Sequence, residues 1–584
     1  MLIVVAQRSV HWRACRWLLL VLVLTPLASA LAAVRIEIVG IDGELQDNVR
    51  NHIGQPPDDD PRLIRRFASR IPDQARDGLE ALGYYEAEVD VSSLRIEDDW
   101  LITVSVEPGE PVRIRTLDIV FHGEAGTDGS FLSLRELVPL KEGDVLHHGR
   151  YESTKRAIEG LAASRGYFDG VFRESRIAVH RGNREADIIL HYDSGARYLL
   201  GEVRYPETPL SEDLLQRMVP FSSGEPYTSE KISALNRNLL DSEYFQHVRV
   251  RPQQAEKDEE GRIPVDAEVT AHRPNRVGVG VGFATDVGPR LRLSWRKPYV
   301  NEEGHSLKTE TEVSAVRQNI SSEYSIPLDP PTEQQLQFFG GYQRDDIEDT
   351  FSRKSTAGIQ RKRTLTGGWQ QAWFLRWERE IFTQAEQRGA STLTLPGTNV
   401  TRSRSRGGMD PHWGDRQFAQ LEGTHPELGS DLRLARMRLN TTWLRSTGRH
   451  RGIVRAEYGA MTTSDFSNTP PSLRFFAGGD RSVRGFRFQS LGPRDDEDRL
   501  IGGRYLLVGS AEYSYEFRER WRAAAFYDVG NAFSSSSFDE GFERGTGVGI
   551  RWSSPVGPIK LDLAWGISQP GTPFRLHFSV GPEI

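Results

Sequence analysis

The chain has 584 residues, 74 basic and 81 acidic side chains, a formal charge of -7, 38% hydrophobic residues and a single cysteine. That length exceeds what one hydrophobic core organises, so several domains are expected; the near-balanced charge gives no nucleic-acid footprint, and a lone Cys15 excludes a disulfide framework or a cysteine metal site. The modest apolar content does not exclude a membrane barrel, whose strands need apolar residues only at every second position.

Residues 1–30 carry the three parts of a secretory signal. Arg8, Arg13 and Arg16 stand without an acid, Trp17 to Leu24 is apolar, and Ala28-Ser29-Ala30 offers small residues for cleavage. The apolar core is too short for a membrane helix, and cleavage is expected between Ala30 and Ala33. Removal of the three arginines shifts the formal charge from -7 to -10.

From Val34 to about His272 one pattern repeats three times: strand, two helices, aromatic doublet, strand, strand. The doublets are Tyr84-Tyr85, Tyr167-Phe168 and Tyr244-Phe245, and their regular spacing marks repeated domains. In the first unit Ile64, Phe67, Ile71, Ala75, Leu79 and Leu82 form one apolar helix face. Tyr151, Ile158, Leu161 and Ala162 do so in the second unit, and Ile232, Leu235 and Leu239 in the third. Gly83 and Gly166 precede two doublets, where a helix end favours positive φ; Ser242-Glu243 stands there in the third. Turns at Pro108-Gly109 and Ser194-Gly195 place the expected domains at 34–108, 111–195 and 197–272.

From about Arg276 to the end, alternation replaces helical spacing. Ile559, Leu561, Leu563 and Trp565 oppose Lys560, Asp562, Ala564 and Gly566; an outward lysine at the bilayer midplane costs about 2 to 4 kcal/mol, so the even positions are expected to face a lumen. Leu291, Leu293 and Trp295, then Trp373, Leu375 and Trp377, and then Phe574, Leu576, Phe578 and Val580 alternate in the same way. Tryptophans at strand ends fit aromatic girdles. The span 276–584 is therefore expected to form a transmembrane antiparallel barrel of about sixteen strands, at roughly nineteen residues per strand and connection.

Gly478 to Phe486 reads GGDRSVRGF, within a connection expected from about Phe476 to Gly502. Gly478, Gly479 and Gly485 let its backbone bend sharply. Phe526, Asp528 and Gly530 share one parity in the strand-like FYDVG, and Asp528 cannot face lipid cheaply. A guanidinium inside a narrow lumen needs a carboxylate partner, so Arg484 is expected to contact Asp528.

The three α+β units resemble POTRA domains, the periplasmic modules of the BamA and TamA superfamily of outer-membrane assembly proteins. GGDRSVRGF resembles the superfamily loop that enters the barrel lumen, with Ser482 beside the tip residues Val483, Arg484, Gly485 and Phe486. Phe526, Asp528 and Gly530 resemble its F-x-D-x-G strand motif. The resemblance implies sixteen strands, residence in the bacterial outer membrane with the POTRA-like units in the periplasm, and work on unfolded autotransporter or other barrel clients. With three units the chain looks most like the TamA family, whose partner is the inner-membrane-anchored TamB.

The first barrel strand reads Val277-Gly278-Val279-Gly280-Val281-Gly282, with no side chains on one face, and the last, around Leu576 and Phe578, ends at Gly581-Pro582. These residues are expected to form a weak lateral seam of about four backbone hydrogen bonds, in which Gly280 and Phe578 approach closely enough to be crosslinked. At roughly 0.5 to 1.5 kcal/mol net per bond, opening costs a few kcal/mol. An alternative role for the glycines is to make room for the loop. No G-x-S-x-G, H-E-x-x-H or phosphate-loop signature is present, so neither an enzyme nor a cofactor or metal site is expected. Two rival functions stand beside client assembly: a two-partner secretion translocator with one dedicated exoprotein, and a passive solute channel.

Overall fold

The computed structural model describes residues 34–580 except 58–59, 97–98, 409 and 556. The expected leader and Gly581 lie outside the described residues. Two compact units divide at Arg197 and Tyr198; one holds the first two α+β domains, the other the third domain and the barrel.

Each α+β domain is a three-stranded mixed sheet. In the first, Asp99–Glu107 is central, with Val34–Val39 parallel on one side and Glu88–Ile96 antiparallel on the other. The second places Glu185–Asp193 between Arg113–His122 and Val171–His180, and the third places Arg262–Ala271 between Leu199–Arg204 and Phe245–Pro252. The central strand is always the last in sequence, so the first two strands of each domain lie at the sheet edges, and in the second and third domains the first strand also bridges a neighbouring segment, Arg113 with Val145 and Leu199 with Pro226.

The apolar series from Ile64 to Leu82 does not form one helix. It breaks into Pro61–Ala68 and Ile71–Glu80, making three helices in this domain with Gly43–Ile53. Pro72 has no N–H and disfavours continuous helix through the residue before it. All six apolar side chains are nonetheless buried. Gly83 and Gly166 both have positive φ. In the third domain Glu243 itself takes a φ of 61° in the same place, a strain that a non-glycine residue accepts only where surroundings enforce it.

The first doublet forms the joint to the second domain. Tyr85 Oη lies 2.7 Å from His148 Nε2, and the Val112 amide donates to the Gly83 carbonyl at 2.8 Å. A side chain at Gly83 would meet the Leu146 carbonyl oxygen at 2.5 Å, so only glycine fits. Burial pushes the Tyr85 hydroxyl up to about 12 and lowers His148 from its ordinary value, which keeps this contact uncharged.

Sixteen antiparallel strands, each bonded to its sequence neighbours, close into a barrel from Arg276–Ala284 to Phe574–Val580. Side-chain direction follows the alternation. Leu561 and Leu563 are exposed on the outer face, while Asp562 and Ala564 are buried inside. Outward Trp521 and Trp552 stack with ring centroids 5.3 Å apart.

The third domain grips the barrel through the hairpin after the second barrel strand. The Ser211 amide donates to the Glu302 carbonyl at 2.8 Å, Arg296 Nη1 reaches Glu243 Oε2 at 2.6 Å, and the buried Tyr244 hydroxyl donates to the Gly304 carbonyl at 2.7 Å. Gly304 has a φ of 75° and no room for a side chain beside Leu214 and Tyr244. Tyr244→Phe leaves that buried carbonyl without its partner, at a cost of about 1 to 3 kcal/mol. Faster limited proteolysis of the 272–276 segment, with barrel folding unchanged, is the expected result.

Candidate functional site: a clasped loop in the barrel wall

The connection between His450–Thr463 and Tyr505–Arg518 spans residues 464–504. It starts twelve residues earlier than the sequence pattern suggests, because Pro470 and Pro471 lack ladder donors and help to lead the chain off the wall. Short bridges pair Phe475 with Gly503 and Ala477 with Leu491. Val483, Phe486 and Leu491 pack in one buried cluster with Leu393, Leu395, Leu506 and Val508 from the inner wall.

Arg484 lies at the centre of this packing, 2% exposed, against a fully buried Asp528. Its Nε donates to Asp528 Oδ2 at 2.7 Å and its Nη2 to Oδ1 at 2.9 Å. The Arg484 backbone amide adds a third bond to Asp528 Oδ2 at 3.1 Å, fixing main chain as well as side chain. The guanidinium carbon stands 3.4 Å over the Phe526 ring, so Phe526 and Asp528 of the strand motif both hold it.

The site is larger than the motifs indicate. Arg484 Nη1 also reaches Glu512 Oε2 at 2.7 Å and Asp562 Oδ2 at 3.3 Å. Arg551 closes the network, with Nε and Nη2 each 2.9 Å from Glu512 and Nη1 2.5 Å from Asp562. Lys560 stands opposite Arg551 in the neighbouring strand. Three cations therefore face three carboxylates inside the wall, so the charges balance in a medium where an unmatched one is costly.

Glycines make the space. A side chain at Gly545 would meet the Arg484 carbonyl oxygen at 1.9 Å, at Gly547 the Phe526 ring at 2.4 Å, and at Gly549 Asp562 Oδ1 at 1.8 Å. This ladder on Glu543–Ser554 receives the loop. The glycines of the first strand do not: Gly278, Gly280 and Gly282 face Ser294, Arg292 and Arg290 of the next strand. Of the motif residues, Ser482 Oγ accepts from the Gly478 amide at 3.1 Å, and Gly478, Gly479 and Gly485 all have φ near 100°. Gly530 lies so close to the Leu507 carbonyl, at 2.5 Å from an added side chain, that only glycine fits.

The loop also touches the last strand and the turn that follows the first. Asp480 bonds His577 Nδ1 of the last strand, and its amide donates to Asp286 Oδ2, after the first strand, at 2.6 Å. His577 Nε2 accepts from the Gly485 amide at 3.0 Å. The ring proton is therefore on Nδ1, and both imidazole nitrogens are engaged.

First and last strands meet in one registered pair among the described residues, Ala284 with Ser579. Beside it the Thr285 amide donates to the Phe578 carbonyl at 3.1 Å, the Phe578 amide donates to Thr285 Oγ1 at 2.5 Å, and the Phe283 and Phe578 rings lie 5.9 Å apart. Among the described residues the seam is this short, and its register differs from the expected one: Phe578 is beside Thr285, not Gly280. Outward Val277, Val279 and Val281 are 69 to 85% exposed, against 40 to 43% for Leu291, Leu293 and Trp295 on the next strand. One flank of the first strand thus has little covering it, while Leu576 points outward from the last strand.

Sequence reasoning also misses a contact at the opposite end of the lumen. Asp410, in the turn between the eighth and ninth strands, accepts from Arg451 at 2.7 Å, Arg522 at 2.9 Å and Ser553 at 2.9 Å. Those partners sit on the eleventh, thirteenth and fourteenth strands. Nothing local in the sequence announces contacts across that separation.

Known proteins resemble the chain along its length. The Omp85 superfamily domain matches residues 266–584, POTRA domain TamA domain 1 matches 35–108, and the surface antigen variable number repeat matches 115–195 and 198–271. Outer membrane protein assembly factor BamA of Nitratidesulfovibrio vulgaris is 22% identical over 83% of this chain and 64% of its own length. The BamA of Neorickettsia risticii is 21% identical over 84% and 69%. The chain thus spans roughly two thirds of these relatives. The crystal structure of BamA from Haemophilus ducreyi lacking POTRA domains 1–3 shares the fold, with a TM-score of 0.66 and 15% identity over 80% of this chain and 99% of that one.

Losing one partner of a buried charge pair costs about 3 to 5 kcal/mol. Arg484→Ala and Asp528→Ala are each expected to lower the urea midpoint of the folded barrel, and the double variant to fall well short of the sum. Simple additivity, read from heat-modifiable gel migration across a urea series, would show that the two side chains act independently. Gly545→Val is expected to displace the loop and expose Arg484 to trypsin, which mass mapping of the fragments detects.

Proposed function

The chain belongs to the Omp85 superfamily, and on that footing we propose that it is an outer-membrane assembly factor of the TamA kind. In this reading it inserts or translocates autotransporter-type and other β-barrel clients through its lateral seam. Its three POTRA-like domains lie in the periplasm and engage a TamB-like, inner-membrane-anchored partner. The TamA-type match at residues 35–108 favours this branch.

The observation that carries the proposal is the seam. In hydrocarbon an unpaired backbone amide is costly, so a spanning barrel normally bonds its ends along their length. Here one registered pair and the bonds of Thr285 join the described ends. At about 0.5 to 1.5 kcal/mol net per bond, parting them costs a few kcal/mol, which a client strand can offset by pairing with the freed edge.

A disulfide across the seam tests this directly. Ala284 and Ser579 are register partners, so their Cα separation suits a bridge, and Cys15 is the sole native cysteine. Oxidised Ala284→Cys/Ser579→Cys protein is expected to lose client insertion into proteoliposomes and to regain it on reduction. Unchanged insertion with the bridge intact defeats the lateral route.

A further inference from the structure

The lipid-facing surface carries a strip of arginines at the end of the barrel where the third domain enters. Odd strands start at that end, so the eighth strand, Gln387–Arg406, finishes there. Its Thr398 lies opposite both Trp373 and Leu421, which are 60% and 56% exposed on the outer face. Arg402, Arg404 and Arg406 share the parity of Thr398 and therefore face the same way. Arg406 is opposite Trp413, and Trp413 is opposite Arg445 on the far side.

These cations are held in place by aromatic rings. Arg402 stands 4.5 Å over Trp369, and Arg404, Arg406 and Arg445 surround Trp413 at 5.3, 5.1 and 4.7 Å. One carboxylate serves the group. Asp415, with no side-chain exposure, pairs with Arg404 at 2.6 Å and Arg402 at 3.3 Å. Arg406 and Arg445 have no carboxylate partner among the described residues, and the buried Nε of Arg402 has no hydrogen-bond partner. Four guanidiniums against one acid leave a net charge of +3 on a surface that touches lipid.

Such a strip is prohibitive near the bilayer midplane and tolerated at an interface, which fixes its depth. Tryptophans belong at that depth as well. There, the abundant counter-anion is the lipid phosphate, whose oxygens match the planar donors of a guanidinium in bidentate fashion. Stacking over indole holds the side chains ready, so little rotamer freedom is lost on binding.

We propose that Arg402, Arg404, Arg406 and Arg445 form a binding site for anionic phospholipid headgroups in the leaflet facing the POTRA-like domains. The site pins the barrel vertically and enriches acidic lipid along the flank formed by strands eight to ten. The bound molecule is a headgroup still attached to its bilayer, since the strip opens to the outer face and not to the lumen.

The test uses the full chain in nanodiscs of phosphatidylcholine with phosphatidylglycerol, with native mass spectrometry counting the lipids retained after release. Each interfacial arginine adds a few-fold, so the wild type is expected to retain phosphatidylglycerol over phosphatidylcholine by about tenfold or more. Arg402→Gln/Arg404→Gln/Arg406→Gln should bring that ratio close to one. Arg388→Gln, on the same face at the other end of the strand, should leave it unchanged. Arg406→Gln alone breaks no ion pair with a described residue and must shift the ratio the same way, should the triple variant fold poorly.

An unchanged ratio in the triple variant, or an equal loss in the Arg388 control, overturns the proposal. The inference rests on the barrel being seated in a bilayer. Failure of that premise would show as a wild-type chain that inserts into vesicles of no composition, whereas failure of the site alone leaves insertion intact and removes only the lipid preference.

Discussion

A guanidinium taken out of water inside a barrel wall persists only where carboxylates surround it, and this requirement organises the C-terminal half of the chain. Arg484 comes from a loop, while Asp528, Glu512 and Asp562 come from three different strands. Because Asp528 also holds the Arg484 amide, the loop is fixed in orientation as well as position. The glycine ladder at Gly545, Gly547 and Gly549 is the steric counterpart, since every Cβ there would collide with the loop or its partners. Charge balance with Arg551 and Lys560 lets the cluster stay buried with three acids in it.

The clasp and the seam are mechanically linked. His577 is part of the last strand and bonds the loop twice, through Asp480 at Nδ1 and Gly485 at Nε2. Asp286, just past the end of the first strand, holds the amide of that same Asp480. Residue 480 thus bridges both sides of the seam from within. Where strand-to-strand pairing is short, the loop supplies the remaining cohesion, and a barrel wall with few ladder bonds keeps a defined closed state.

How much of this a sequence reveals depends on the range of the interaction. Period-two alternation is local, so the facing of Leu561 against Asp562 can be read directly, as can helix faces such as Ile158 and Ala162. Two motifs direct Arg484 toward Asp528, and the structure has them in contact. Glu512 could have been added from its parity opposite the exposed Tyr513. Arg551 and Asp410 could not, because alternation assigns a residue to a face and says nothing of which strand it meets across a lumen. The seam register is hidden for a related reason: it is set by closure of all sixteen strands, and Gly280 carries no side chain to signal its neighbour. The break at Pro72 was available locally, but the helical spacing on either side of it concealed the stop.

Polar groups on the two faces of this barrel follow opposite rules. Inside, the cations and carboxylates around Arg484 and Arg551 are matched, because each unmatched buried charge destabilises the fold. Outside, Arg406 and Arg445 have no carboxylate partner among the described residues and are held by Trp413 instead. An interior cluster of that composition would be strained, while an outer one at the interface is completed by the membrane itself. The contrast separates a clasp that the protein closes with its own residues from a surface that, as proposed, lipid headgroups finish.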